Sequence, residues 1–154
     1  MENNTMPDTP VKILYAEDDK DAARIYQIHL RRAGFQTDVV TDGRQALDLY
    51  EKNAYDLILL DMDLPLLGGE EVLRHIRSKG DTIPVIILST VNHCEALYNG
   101  ADDYLVKGGG IRDLQARLDK ALARSRQMNA GRDPNIFRLS PLTTYNRATR
   151  ILVI

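Results

Sequence analysis

The chain has 154 residues, 44% of them hydrophobic, with 20 Lys and Arg against 22 Asp and Glu for a formal net charge of −2. That size suits one compact domain and a little more, and the balance excludes both a uniformly basic nucleic-acid coat and disorder by self-repulsion. The charge is unevenly spread: six arginines and one acid follow from Arg124 onward, so the preceding part carries about −7, and an acidic body with a basic tail suggests two parts with different partners.

Residues 1–9 are polar, contain no apolar signal region, and read as a disordered leader. VKILYA (11–16) is an apolar run that ends on Glu17, Asp18 and Asp19, and it reads as a strand. From Asp19 to Gly34, residues Ala22, Tyr26, His29, Leu30 and Ala33 recur on one helical face, and Gly34 is a good stop. FQTDVV (35–40) alternates as a second strand. Thr41-Asp42-Gly43 is a turn and cap signal, followed by a helix from Arg44 to Asn53 with Ala46, Leu47 and Tyr50 inward. The third strand, Tyr55 to Asp61, drives four apolar residues straight into a carboxylate. Gly68-Gly69 precedes a helix that turns Val72, Leu73 and Ile76 inward.

Pro84 opens PVIILS, a fully apolar fourth strand, and a short helical stretch is expected around Cys94 to Asn99. DYLVK (103–107) is the fifth strand, Gly108 to Gly110 a loop, and Ile111, Leu114, Leu118, Leu122 and Ser125 mark a last amphipathic helix. NAGRDPN (129–135) is linker-like, and the remainder reads as a strand, a polar turn and a second strand, ATRILV. The single cysteine, Cys94, excludes an internal disulfide and fits a reducing cytosol. No apolar run approaches the roughly 18 residues of a membrane helix, so no membrane partner and a cytoplasmic location are expected.

Strand and helix thus alternate five times. The strands at 11, 55, 84 and 103 are near-continuous apolar runs, the pattern of a parallel sheet covered on both faces. Right-handed crossovers limit this to a doubly wound sheet, whose ligands sit at the carboxyl ends of the strands. At those ends stand Glu17-Asp18-Asp19, Asp61, Ser89-Thr90 and Lys107. Clustered carboxylates repel one another and need a cation, and all-oxygen ligands favour a hard ion such as Mg²⁺ with positions left for phosphate oxygens. An aspartate there suits nucleophilic phosphoryl transfer, with the metal, a hydroxyl and an ammonium sharing the charge of the transferred group. Taken singly, Asp18 or Asp19 reads more readily as a helix cap than as a metal ligand.

The stretches ILYAEDD, DLILLDMDLP, PVIILST and GADDYLVK together resemble the receiver domain of a two-component response regulator, over about residues 10–126. The resemblance implies a five-stranded sheet in the order 2-1-3-4-5, the flavodoxin-like arrangement. It implies phosphorylation of Asp61 by a sensor histidine kinase. It implies Mg²⁺ held by Asp18, Glu17, Asp61 and the backbone carbonyl of Asp63, with Ser89 and Lys107 on the phosphoryl group. Ser89 and Tyr104 would form the activation switch. The last residues, 137–154, resemble the opening strands of a winged-helix (OmpR-type) effector, with 127–136 as linker. DNA would then be read only through an effector domain that is not complete in this chain.

Three departures from the family pattern stand out. Lys107 is followed by Gly108 where the family usually has proline, so a trans peptide and a loosely placed Lys107 are expected. The segment from Ser89 to Tyr104 is roughly one helical turn short, which predicts a stunted fourth helix and leaves a homodimer through the usual face open. Thr90 stands where Ala or Gly is usual and would narrow access to Asp61, altering phosphoryl turnover. Two other functions fit parts of the pattern. One is a phosphorylation-independent pseudo-receiver acting as a protein-interaction module. The other is a Mg²⁺-dependent phosphatase with Asp63 as its second catalytic acid. The receiver reading is a phosphoacceptor signalling domain and not an enzyme.

Overall fold

The computed structural model describes residues 10–90, 100–130, 136–140, 143–146 and 151–153. Five parallel strands, β1 (Lys12–Ala16), β2 (Gln36–Val40), β3 (Leu57–Asp61), β4 (Val85–Ser89) and β5 (Asp103–Val106), form one sheet in the order β2-β1-β3-β4-β5. Four helices are described with it: α1 (Lys20–Arg32), α2 (Gly43–Lys52), α3 (Gly69–Ser78) and α4 (Ile111–Ala130). The expected α/β doubly wound class and strand order are therefore found. The short helix expected around Cys94 to Asn99 lies outside the described residues.

Every residue of β3 and β4 is buried, which is why these strands run apolar without alternation. Successive side chains divide between two layers. Leu14, Ile58, Leu60 and Ile87 pack with Ala46 and Tyr50 of α2 and Val72, Leu73 and Ile76 of α3. Ile13, Tyr15, Leu57, Leu59, Ile86 and Leu88 pack with Tyr26 and Leu30 of α1 and Leu114, Leu118 and Leu122 of α4 on the other face. Each fully buried aliphatic side chain contributes about 1.5–3 kcal/mol. On α1 the buried alanine is Ala23; Ala22 is half-buried and Ala33 is the exposed C-cap. The helix is rotated slightly from the expected face, because Tyr26 and Leu30 anchor it against Tyr15 and Ile13.

Caps fix where the helices begin. Asp19 accepts the N–H groups of Asp21 at 3.0 Å and Ala22 at 3.2 Å, and Asp42 accepts that of Gln45 at 2.7 Å. α3 starts at Gly68 with no side-chain cap. Arg77, near the end of α3, ties the far edge of the sheet down. Its guanidinium donates to Gly100 O and Asp81 O, each at 2.8 Å, and to Asp102 Oδ2 at 3.0 Å.

α4 runs to Ala130, past the boundary expected at 126, so the first residues of the expected linker are helical. The tail holds three strands, β6 (Ile136–Ser140), β7 (Thr143–Asn146) and β8 (Ile151–Val153), paired antiparallel in that order. The expected polar turn is therefore a strand in its own right. Threonine and tyrosine, polar but strongly strand-forming, account for it.

Candidate functional site

The carboxyl ends of β1, β3, β4 and β5 bring the predicted residues to one edge of the sheet. Asp61 is the last residue of β3, 2% exposed, and both of its oxygens are engaged. Oδ1 accepts the backbone N–H of Asp63 at 3.0 Å, and Oδ2 accepts Lys107 Nζ at 2.9 Å. Glu17, one residue past β1, is completely buried. Its Oε1 accepts the backbone N–H of Asp19 at 3.1 Å, while its Oε2 pairs with Lys107 Nζ at 2.6 Å. Asp18 is exposed, yet one of its oxygens lies within 4.8 Å of oxygens of both Glu17 and Asp61.

Ser89 ends β4 and is fully buried, and its carbonyl accepts the Lys107 N–H at 2.8 Å. Thr90 follows it and is exposed. Tyr104, on β5, is half-buried against the layer that holds α2 and α3. Asp63 is exposed; its backbone N–H is what touches Asp61.

The electrostatics follow from this packing. Burial pushes the Glu17 carboxyl up from 4.5 to about 7; the Lys107 ammonium and the Asp19 N–H pull it back, and Asp61 pushes it further up. For Lys107, burial works against the charge, but the ion pairs with Glu17 and Asp61 outweigh it and hold its pKa above the usual value. Sequence reasoning expected a loosely placed Lys107. The structure places its ammonium between two carboxylates, because Lys107 Cα is pinned by the β4–β5 ladder before the glycines begin. The Lys107–Gly108 peptide is trans, and Gly108 and Gly110 take positive φ of 88° and 98° to turn the chain into α4.

Three features of the site were not foreseen. The first is the Glu17–Lys107 ion pair. The second is the close approach of α3, where a Cβ on Gly69 would lie 2.2 Å from the Asp61 backbone oxygen; the Gly68-Gly69 pair was the available signal. The third is Leu66, the only non-glycine residue at positive φ among the described residues, at 68°. The Leu67 N–H bonds to Pro65 O at 2.7 Å across it, the mark of a strained γ-turn.

Three carboxylates with oxygens within 4.8 Å of one another, two of them buried, form a hard-donor set fitting a divalent cation. A sequence model described as the response regulator receiver domain matches residues 13–119. The chain belongs to this family.

Relatives agree. The response regulator ArlR of Staphylococcus saprophyticus is 39% identical over 122 residues, which cover 77% of this chain and 55% of that protein. The transcriptional regulatory protein PcoR of Escherichia coli is 36% identical over 77% of this chain and 54% of its own. Among solved structures, the receiver domain of Francisella response regulator 1452 matches with a TM-score of 0.71 and 36% identity, over 76% of this chain and 99% of that one. The receiver thus spans only part of what it resembles: the chain covers about half the length of the curated relatives it matches. Among the described residues no helix is long and apolar enough to cross a membrane.

Proposed function

We propose that this receiver accepts a phosphoryl group on Asp61 from the phosphohistidine of a sensor kinase and relays its state to an output domain. The observation that carries the reading is the engagement of Asp61, with one oxygen on a backbone N–H and the other on the only ammonium at the site among the described residues. The carboxylate is fixed through both oxygens at the carboxyl end of β3, and in-line attack on phosphorus requires such positioning. An Asp61 oxygen forms the bond to phosphorus as the histidine N–P bond breaks, and the electron pair leaves with the imidazole. Lys107 then neutralises phosphoryl oxygens, and the Ser89 hydroxyl donates to one of them.

Glu17, Asp18, Asp61 and the carbonyl of Asp63 would hold Mg²⁺, which when bound offsets the charge gathering on the phosphoryl oxygens. A response regulator receiver of Thermotoga maritima, TrrA, 27% identical over 72% of this chain with a TM-score of 0.68, is described in complex with Mg²⁺–BeF. That likeness supports the same ion here. Tyr104, half-buried beside Ile87, would move inward once Ser89 turns to the phosphoryl group. Residues 10–126 would be the receiver proper, and the tail strands the start of a winged-helix output that reads DNA, in keeping with a relative named as a transcriptional regulator.

Incubation with Mg²⁺ and acetyl phosphate should add one phosphoryl group by mass spectrometry, and none to the Asp61→Asn variant. A folded protein that gains nothing would instead be a phosphorylation-independent interaction module.

A further inference from the structure

We propose that the chain associates with a second copy of itself through the outward face of α1, the two helices running antiparallel about a two-fold axis between Ile25 and Ile28.

α1 buries Ala23, Tyr26 and Leu30 against the sheet. At about 100° per residue, the opposite side of the helix carries Asp21, Ile25, Ile28 and Arg32, at i, i+4, i+7 and i+11. That is the spacing of a seam between two packed helices rather than of a solvated face. Ile25 is 56% exposed and Ile28 41%. The other large apolar residues exposed among the described residues are Leu66, Val106 and Met128, which stand singly on a loop, on β5 and near the end of α4. Scattered single residues of this kind are ordinary on a surface; two at adjacent seam positions of one helix are not.

The charges at the ends of the seam select a second copy as its occupant. With the two-fold axis midway between the isoleucines, Ile25 meets the partner's Ile28, Asp21 meets the partner's Arg32, and each pair occurs twice, so the surface is complementary to itself. Asp21 and Arg32 are both exposed, and neither takes part in an ion pair among the described residues. Asp21 in the first turn and Arg32 in the last also suit the dipole of α1. That accounts for their signs but not for their alignment with the two isoleucines. Arg24 and Arg31 flank the seam on one side and repel across it. With a contact smaller than the roughly 1,200 Å² of standard interfaces, they make the dimer a weak one. Ile25 also borders a groove lined by Ala22, Tyr26, Lys107, Gly108 and Ile111. Association therefore narrows the approach to Lys107 from the side of α1.

Sedimentation velocity of the full chain at low salt, from about 5 to 500 μM, should show monomer and dimer in exchange. Asp21→Arg or Arg32→Asp alone sets like charges against each other at both ends of the seam and should weaken association about tenfold. Ile28→Gln, at the centre, should abolish it. All three positions are exposed, so the fold tolerates the changes. An equimolar mixture of Asp21→Arg and Arg32→Asp restores opposite charges at both ends and should associate as tightly as the wild type, which a general loss of stability would not reproduce. A wild type that stays monomeric to about 500 μM overturns the proposal. A dimer indifferent to all three variants places the contact on another face and overturns it too, and a mixture no tighter than its separate variants rules out the antiparallel pairing.

Discussion

Glu17 is the residue whose chemistry departs most from its sequence context. As the first of three consecutive acids it reads like its neighbours, but Glu17, whose N–H still bonds to Val40 O at 2.9 Å just past β1, lies in the core while Asp18 stays in solvent. Its carboxyl ionises near pH 7 in the folded chain and at the ordinary 4.5 when unfolded. A raised folded pKa adds stability that is complete below about 4.5 and lost as pH rises through about 7, because the unfolded chain gives up its proton first. With EDTA present, the urea midpoint should therefore fall across that window. The component should be missing from Glu17→Gln. A Glu17→Gln variant with the same slope would place the titration elsewhere.

Among the elements, the loop from β3 to α3 shows best what a sequence can and cannot give. The apolar run ending on Asp61 was legible because a fully buried strand must be apolar and must stop where its polar end meets solvent. The loop beyond it was not. It is locked by backbone approaches that carry no side-chain pattern: Gly69 against the Asp61 carbonyl, and Gly43 of α2, whose Cβ would lie 1.8 Å from Leu67 O. Between them Leu66 is held at positive φ and left 78% exposed. Two substitutions in this loop should therefore act in opposite directions. Leu66→Gly relieves about 1–2 kcal/mol of backbone strain and returns part of it as chain entropy, for a net gain of about 0.5–1 kcal/mol. Gly69→Ala forces α3 away from Asp61 and should cost about 1–3 kcal/mol, with slower labelling by acetyl phosphate. Urea denaturation of both variants reads this directly; loss of stability in Leu66→Gly would mean that the turn is not strained.

For the molecule as a whole, the receiver and the tail obey different logic. Among the residues whose side chains are described, both core layers draw on those between Val11 and Leu122, and the site residues lie between Glu17 and Lys107. Parallel strands with long apolar runs made that part readable at the level of topology. The tail's short antiparallel strands rest on three to five residues each, too few for periodicity to separate strand from turn, so the stretch between the two expected strands reads as a turn. If the receiver is a unit of its own, a chain ending at Ala130 keeps α4 entire and should unfold in one cooperative step. Its urea midpoint should match that of the full chain, and it should take up one phosphoryl group at the same rate. A lower midpoint after truncation would show that the tail docks on the receiver and would make the two parts one folding unit.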